Sequence, residues 1–164
     1  EANANVSIVG VPKSIDNDVL FFDRTFGFDS AVACASGIIK NGWVEATSCA
    51  KGVGIVKLMG RDAGFVAAHA SLASGLADMC LIPEVSFRLE DLLAHVETTL
   101  KRKGHMVIVV AEGAGQELIA GSNDEHDATG HKKCTLRIRV WSDVDSSAPR
   151  RLLRSISRLC VLKC

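Results

Sequence analysis

Asp16 and Asp18, in the stretch Pro12-Lys13-Ser14-Ile15-Asp16-Asn17-Asp18, are the side chains whose type and spacing best suit chemistry. They follow the apolar run Val6-Ser7-Ile8-Val9, which reads as a short buried strand broken by Gly10 and Pro12. In extended backbone, residues i and i+2 point to the same side, so both carboxylates are expected to converge on one pocket. Two carboxylates in one place can divide the labour. One takes a proton from a hydroxyl while the other holds Mg²⁺ or orients water around it. Asp-Asn-Asp also suits a plain polar turn after a strand, and composition alone favours that reading.

The elements around this stretch alternate. A helix is expected from about Asp29, with Ala31, Val32, Ala35, Ile38 and Ile39 on one face and a stop near Asn41-Gly42. Val53 to Met59 reads as a strand whose start is loosened by Gly52 and Gly54, and Arg61 to Gly75 as a helix of small residues. Met79 to Ile82 is a short strand stopped by Pro83. Glu90 to Lys103 is an amphipathic helix with Leu92, Leu93, Val96 and Leu100 inward, a basic last turn and Gly104 as its cap. His105 to Ala111 is the strongest strand. Near-continuous apolar strands between helices predict an α/β fold, a parallel sheet with helices on both faces. The polar residues of interest then follow strand ends: Ser14 and Asp16, Met59 to Arg61, and Glu112. Open α/β sheets bind ligands at the carboxyl ends of their strands, an independent reason to gather these positions into one site.

Composition narrows the classes. The 164 residues suffice for one domain with a real core, 48% are hydrophobic, and 19 basic side chains balance 19 acidic ones. That balance points to no polyanionic partner, so no nucleic acid is expected. Cysteines at 34, 49, 80, 134, 160 and 164 form no C-x-x-C pair, which fits a reducing compartment, cytoplasm or plastid stroma. No apolar run is long enough to span a membrane, and nothing at the start reads as a signal or transit peptide. Gly52-Val53-Gly54 is a fragment of a dinucleotide fingerprint, discounted because it precedes a strand. His126, His131 and Cys134 lack a fourth zinc ligand and read as solvated side chains.

Gly10-Val11-Pro12-Lys13-Ser14-Ile15-Asp16-Asn17-Asp18 resembles a signature of the phosphofructokinase family. Four more matches follow in the family's order: Thr25 to Ala31, Val56-Lys57-Leu58-Met59-Gly60-Arg61, Leu81-Ile82-Pro83-Glu84, and Ala111-Glu112-Gly113-Ala114-Gly115. Their wording is most similar to the plant and protist branch of ATP- and pyrophosphate-dependent enzymes. The resemblance implies transfer of the terminal phosphoryl group of ATP to the C1 hydroxyl of fructose 6-phosphate, a step of glycolysis, with Mg²⁺ as cofactor and pyrophosphate as the alternative donor.

It also implies roles. Asp16 matches the family's proton acceptor, and Asp18 a second carboxylate supporting Mg²⁺ or its waters. Ser14 stands where threonine is commoner and keeps a hydroxyl for the phosphoryl oxygens, with Ile15 beside it in the substrate contact. Lys13 bears on the phosphoryl donor, since lysine there marks pyrophosphate-dependent members and plant-type ATP enzymes alike. Met59, Gly60 and Arg61 match the sugar-phosphate contact, and Glu112 the carboxylate on a sugar hydroxyl. Gly52 falls where bacterial relatives carry an arginine from a neighbouring subunit. Homo-oligomeric assembly and allosteric regulation of the complete protein are further implications.

After about Gly121 the character changes, and beyond Lys132 the resemblance ends. Residues 1–131 read as a partial phosphofructokinase domain and 132–164 as a divergent basic tail. Pro149 to Leu162 could form a basic amphipathic helix for a partner or an acidic membrane surface. A shifted reading frame or misjudged exon is the preferred account. The chain begins at Glu1 directly ahead of an internal family motif, so part of the parent protein is expected to lie outside it. With no glycine-rich donor loop and no downstream basic cluster, the chain alone is expected to show no turnover.

Overall fold

A computed structural model describes residues 6–115 and the strand 158–163. The described elements run α1 (Phe28–Thr47), β1 (Gly52–Leu58), α2 (Phe65–Ser74), β2 (Met79–Leu81), α3 (Leu89–Lys103), β3 (His105–Ala111) and β4 (Arg158–Lys163). The strands form one parallel sheet in the order β2-β3-β1-β4. Every residue of β1 is buried, and so is β3 beyond His105. This is why β3 reads as an unbroken apolar run, and β1 as one interrupted only by Lys57, instead of alternating ones.

Helices cover both faces. On one, Ala35, Ile39 and Ala46 of α1 and Ala67 and Ala70 of α2 pack on Val56, Leu58, Val107, Val109 and Ala111. On the other, Val96 and Leu100 of α3 cover Val53, Ile55, Met106, Ile108 and Val110. The period of two sorts β1 between these cores, with even-numbered side chains toward α1 and odd-numbered ones toward α3. The expected α/β sheet with two covered faces is what the chain adopts.

Helix α1 runs past the expected stop at Asn41-Gly42 to Thr47. Gly42 marks a crossing, not an end. A Cβ there would lie 2.8 Å from Val56 Cγ2, and one on Gly54 would lie 2.6 Å from the Gly42 carbonyl oxygen. A Cβ on Gly52 would meet the Ala46 carbonyl oxygen at 2.2 Å. The three glycines let helix and strand backbones touch, so Gly52 and Gly54 serve packing and not a dinucleotide. Gly104, by contrast, caps α3 as expected: its φ is 79° and its N–H donates to Leu100 O at 3.0 Å.

Two expectations are corrected. Val6 to Val9 is not a buried strand: Ile8 and Val9 are 90% and 85% exposed, and the segment joins no ladder among the described residues. Apolar side chains favour a strand only where a neighbour takes its backbone N–H and C=O groups, and β3 and β4 already occupy both sides of β1. The second concerns the tail. Residues 158–162, placed on an amphipathic helix, instead belong to β4, paired in parallel register from Gly52↔Arg158 to Lys57↔Lys163. A sheet edge with open backbone groups outweighs helical periodicity in so short an apolar run. Residues 149–157 lie outside the described residues.

Asp78 fastens β2 to β3. Its Oδ2 accepts the Val107 N–H at 2.9 Å, its own N–H donates to Val107 O at 2.9 Å, and it pairs with Lys103. Asp78→Ala strands a buried N–H and is expected to cost about 1–3 kcal/mol, read as a lower denaturant midpoint at unchanged slope.

Candidate active site

Two turns leave the carboxyl ends of β1 and β3 side by side. Met59-Gly60-Arg61 continues β1 and Glu112-Gly113 continues β3, and the Gly113 N–H donates to Gly60 O at 2.9 Å. Gly60 has φ 124°, and a Cβ on it would lie 2.4 Å from Ala63 O. A Cβ on Gly113 would lie 1.6 Å from Arg61 O. Only glycines allow this backbone contact, which sets Arg61 and Glu112 next to each other. Residues 61–64, expected as helix, form the turn that presents Arg61. Helix α2 starts only at Phe65, and Glu84 Oε1 takes the N–H of Gly64, the residue ahead of it, at 2.7 Å. Glu84 of the Leu81-Ile82-Pro83-Glu84 motif is thus a helix cap supplied from another loop.

Ser14 and Asp16 reach this end from irregular chain, not from a strand end. Asn17 has φ 60°, so the extended path assumed for Asp16 and Asp18 breaks between them. Asn17 holds that turn: Oδ1 accepts the Thr25 N–H at 2.8 Å and Nδ2 donates to Asp23 O at 3.3 Å. Asp18 folds back so that its Oδ1 accepts the Ser14 hydroxyl at 2.6 Å, while Ser14 Oγ accepts the Asp16 N–H at 3.2 Å. Ser14 here is a turn serine whose one proton is engaged by Asp18. Ile15 is half-buried near Gly27, while Lys13 and Met59 are exposed.

Asp16 is the electrostatic centre. Burial pushes its carboxyl above the ordinary range, Asp18, Asp62 and Glu112 push it further, and Arg61 opposes them. Its Oδ1 is shielded from solvent with no hydrogen-bond partner among the described residues. The structure therefore brings Asp18, Arg61 and Glu112 within electrostatic reach of Asp16, and adds Asp62, which periodicity could not flag. Lys57 was missed as well. It lies in the β1 interior, yet its Nζ donates to Glu112 Oε1 at 3.2 Å. A lysine inside an otherwise apolar run was the available signal. A half-buried carboxylate inclined to hold a proton, beside a guanidinium, can accept a hydroxyl proton next to bound anionic oxygens.

The sequence model of the family described as Phosphofructokinase matches residues 1–146. This chain belongs to the phosphofructokinase family. It is 52% identical over 129 residues to a chloroplastic ATP-dependent 6-phosphofructokinase of Arabidopsis thaliana, covering 77% of this chain and 24% of that protein. To the ATP-dependent 6-phosphofructokinase of Amycolatopsis methanolica it is 56% identical over 117 residues, covering 70% of this chain and 26% of that one. A solved pyrophosphate-dependent phosphofructokinase from Marinobacter aquaeolei matches with TM-score 0.60 and 23% identity over 92% of this chain and 35% of its own, a likeness of fold alone. The chain spans about a quarter of the length of these two curated relatives.

Within this phosphofructokinase chain, no group of three or more His, Cys, Asp or Glu suited to a metal ion occurs among the described residues. His126, His131 and Cys134 lie outside them. No described helix is long and apolar enough to cross a membrane.

Proposed function

We propose that this chain supplies the sugar side of a 6-phosphofructokinase site, in a protein that transfers the terminal phosphoryl group of ATP to the C1 hydroxyl of fructose 6-phosphate. The observation that carries the reading is the gathering of Asp16, Arg61 and Glu112 at one end of the sheet, with the Asp16 carboxyl pushed up by burial and neighbouring carboxylates. A base works best when its pKa lies near the working pH, so that push improves Asp16 as acceptor of the C1 hydroxyl proton. Deprotonation makes the oxygen nucleophilic toward the phosphorus while Arg61 offsets charge on the phosphoryl oxygens.

Glu112 holds a sugar hydroxyl, and the Met59-Gly60 backbone and Ile15 close round the sugar phosphate. The Ser14 hydroxyl turns from Asp18 to a phosphoryl oxygen, and the exposed Lys13 meets the donor's phosphates. Mg²⁺ fits the acidic oxygens present, since it binds through one or two carboxylates plus substrate phosphates and not through a protein cage. Asp18 would hold its waters, and the ion would offset phosphate charge. ATP is favoured as donor because the relatives at 52% and 56% identity named above are ATP-dependent enzymes. Cytoplasm is the proposed compartment, with plastid stroma as the alternative. Homo-oligomeric assembly and allosteric control are proposed for the complete protein. Residues 1–131 are taken as the phosphofructokinase part and 132–164 as the divergent tail, tested by sequencing the transcript through both ends.

The functional test is fructose 1,6-bisphosphate formation by the full gene product, with ATP and pyrophosphate offered separately. Turnover with ATP is the expected result, with none from the isolated 164 residues. Turnover with pyrophosphate alone would replace the donor. Fructose 6-phosphate binding without turnover would leave a non-catalytic relative.

A further inference from the structure

Lys57 is a charge placed where packing asks for an apolar side chain. Val53 and Ile55 precede it on the same face of β1 and pack against Met106, Ile108 and Val110 of β3 and against α3. Lys57 pairs in register with Val110 and is only 8% exposed. Glu112 follows Met106, Ile108 and Val110 in the same alternation, so lysine and glutamate meet on one face where the core ends. The Nζ to Oε1 distance is 3.2 Å.

With Lys57 buried and Glu112 at the edge of the core, such a pair adds little stability, because desolvation of the lysine offsets the attraction. Stability alone thus gives no reason for a lysine at this position, whereas aiming a carboxylate does. A glutamate at a strand end has several rotamers open to it. An ammonium rooted in the central strand and bonded to Oε1 biases that choice toward one orientation.

We propose that Lys57 is a positioning residue, which aims the Glu112 carboxylate and thereby sets the affinity of the site for the sugar. This rests on the reading of Glu112 as the contact to a fructose 6-phosphate hydroxyl. Lys57 does not touch the reacting atoms, so its removal acts on sugar binding and not on phosphoryl transfer.

The test is steady-state kinetics of the full gene product with Lys57→Met and Lys57→Gln, varying fructose 6-phosphate at saturating ATP. Either variant is expected to raise KM for the sugar roughly tenfold or more, the scale of one hydrogen bond to a charged group, with much less change in kcat. Lys57→Arg, which keeps a cation in reach of Glu112, is expected to recover most of that loss. In a Glu112→Gln background, Lys57→Met is expected to add nothing. A role in packing alone would instead lower thermal stability without moving KM, and Lys57→Gln carries the test should Lys57→Met fold poorly. Unchanged KM in both variants, or an equal KM rise in the Glu112→Gln background, overturns the inference while wild-type turnover keeps the functional reading. No sugar-dependent turnover by the wild type removes both.

Discussion

Asp16→Asn is expected to lower turnover of the full gene product by about 10²- to 10⁴-fold, the range of a lost general base, with little change in KM for fructose 6-phosphate. Asparagine keeps the shape and the hydrogen-bonding edge of the side chain but cannot accept the proton. The same substitution is expected to leave folding stability at neutral pH unchanged or higher. Burial and the carboxylates of Asp18, Asp62 and Glu112 raise the folded-state pKa of Asp16 above its unfolded value. A group raised in this way favours the folded state below its unfolded pKa and withdraws that contribution as pH rises through the folded one. At neutral pH the ionised carboxylate therefore opposes folding, and its neutral isostere does not. Thermal melts of the 164-residue chain should show the variant's advantage at neutral pH fading toward the acid side of the carboxylate range. An unchanged turnover would remove Asp16 from the chemistry. A variant less stable at neutral pH would remove the electrostatic account.

Gly113→Ala is the largest structural effect expected from one added methyl group. Its Cβ would stand 1.6 Å from Arg61 O, 2.7 Å from Arg61 C and 3.2 Å from Pro83 Cγ. Two of these are backbone atoms with no rotamer in which to escape, so the turns after β1 and β3 must part. The Gly113 to Gly60 hydrogen bond at 2.9 Å opens with them. A loss of about 3 kcal/mol is expected, the upper end for overpacking. Denaturant unfolding of the chain measures it, and a wild-type midpoint would contradict the packing. Arg61 and Glu112 flank this contact, so sugar binding should weaken together with stability.

Legibility in the sequence followed the range of the interactions involved. Helix α3 and strand β3 carry their own signals, an apolar stripe closed by Gly104 and an unbroken apolar run, and both stand within a residue of expectation. Gly42 misled because a glycine that ends a helix and one that lets a strand approach look alike without the partner, here Val56 and Gly54. Val6 to Val9 misled because a strand exists only with a ladder partner, and β4 from far along the chain takes the open side of β1. At the site, Arg61 and Glu112 were visible as types at strand-end positions, and Asp16 by type alone, since irregular chain and not a strand leads to it. The left-handed turn at Asn17 was not, and it changes how Asp18 is used, from a side chain parallel to Asp16 into a partner of Ser14. Lys57 was hidden within a family motif, because its meaning depends on a partner 55 positions away.

The claim that these residues form the sugar side of a phosphofructokinase site is tested most directly by transplantation. The 117-residue segment of the Amycolatopsis methanolica enzyme that aligns with this chain, 56% identical to it, is replaced by this chain's own residues. Fructose 1,6-bisphosphate formation from ATP is then measured with aspartate and with asparagine at position 16. The account predicts turnover in the first chimera and a loss of about 10²- to 10⁴-fold in the second, both folded. Equal turnover by the two folded chimeras would contradict it.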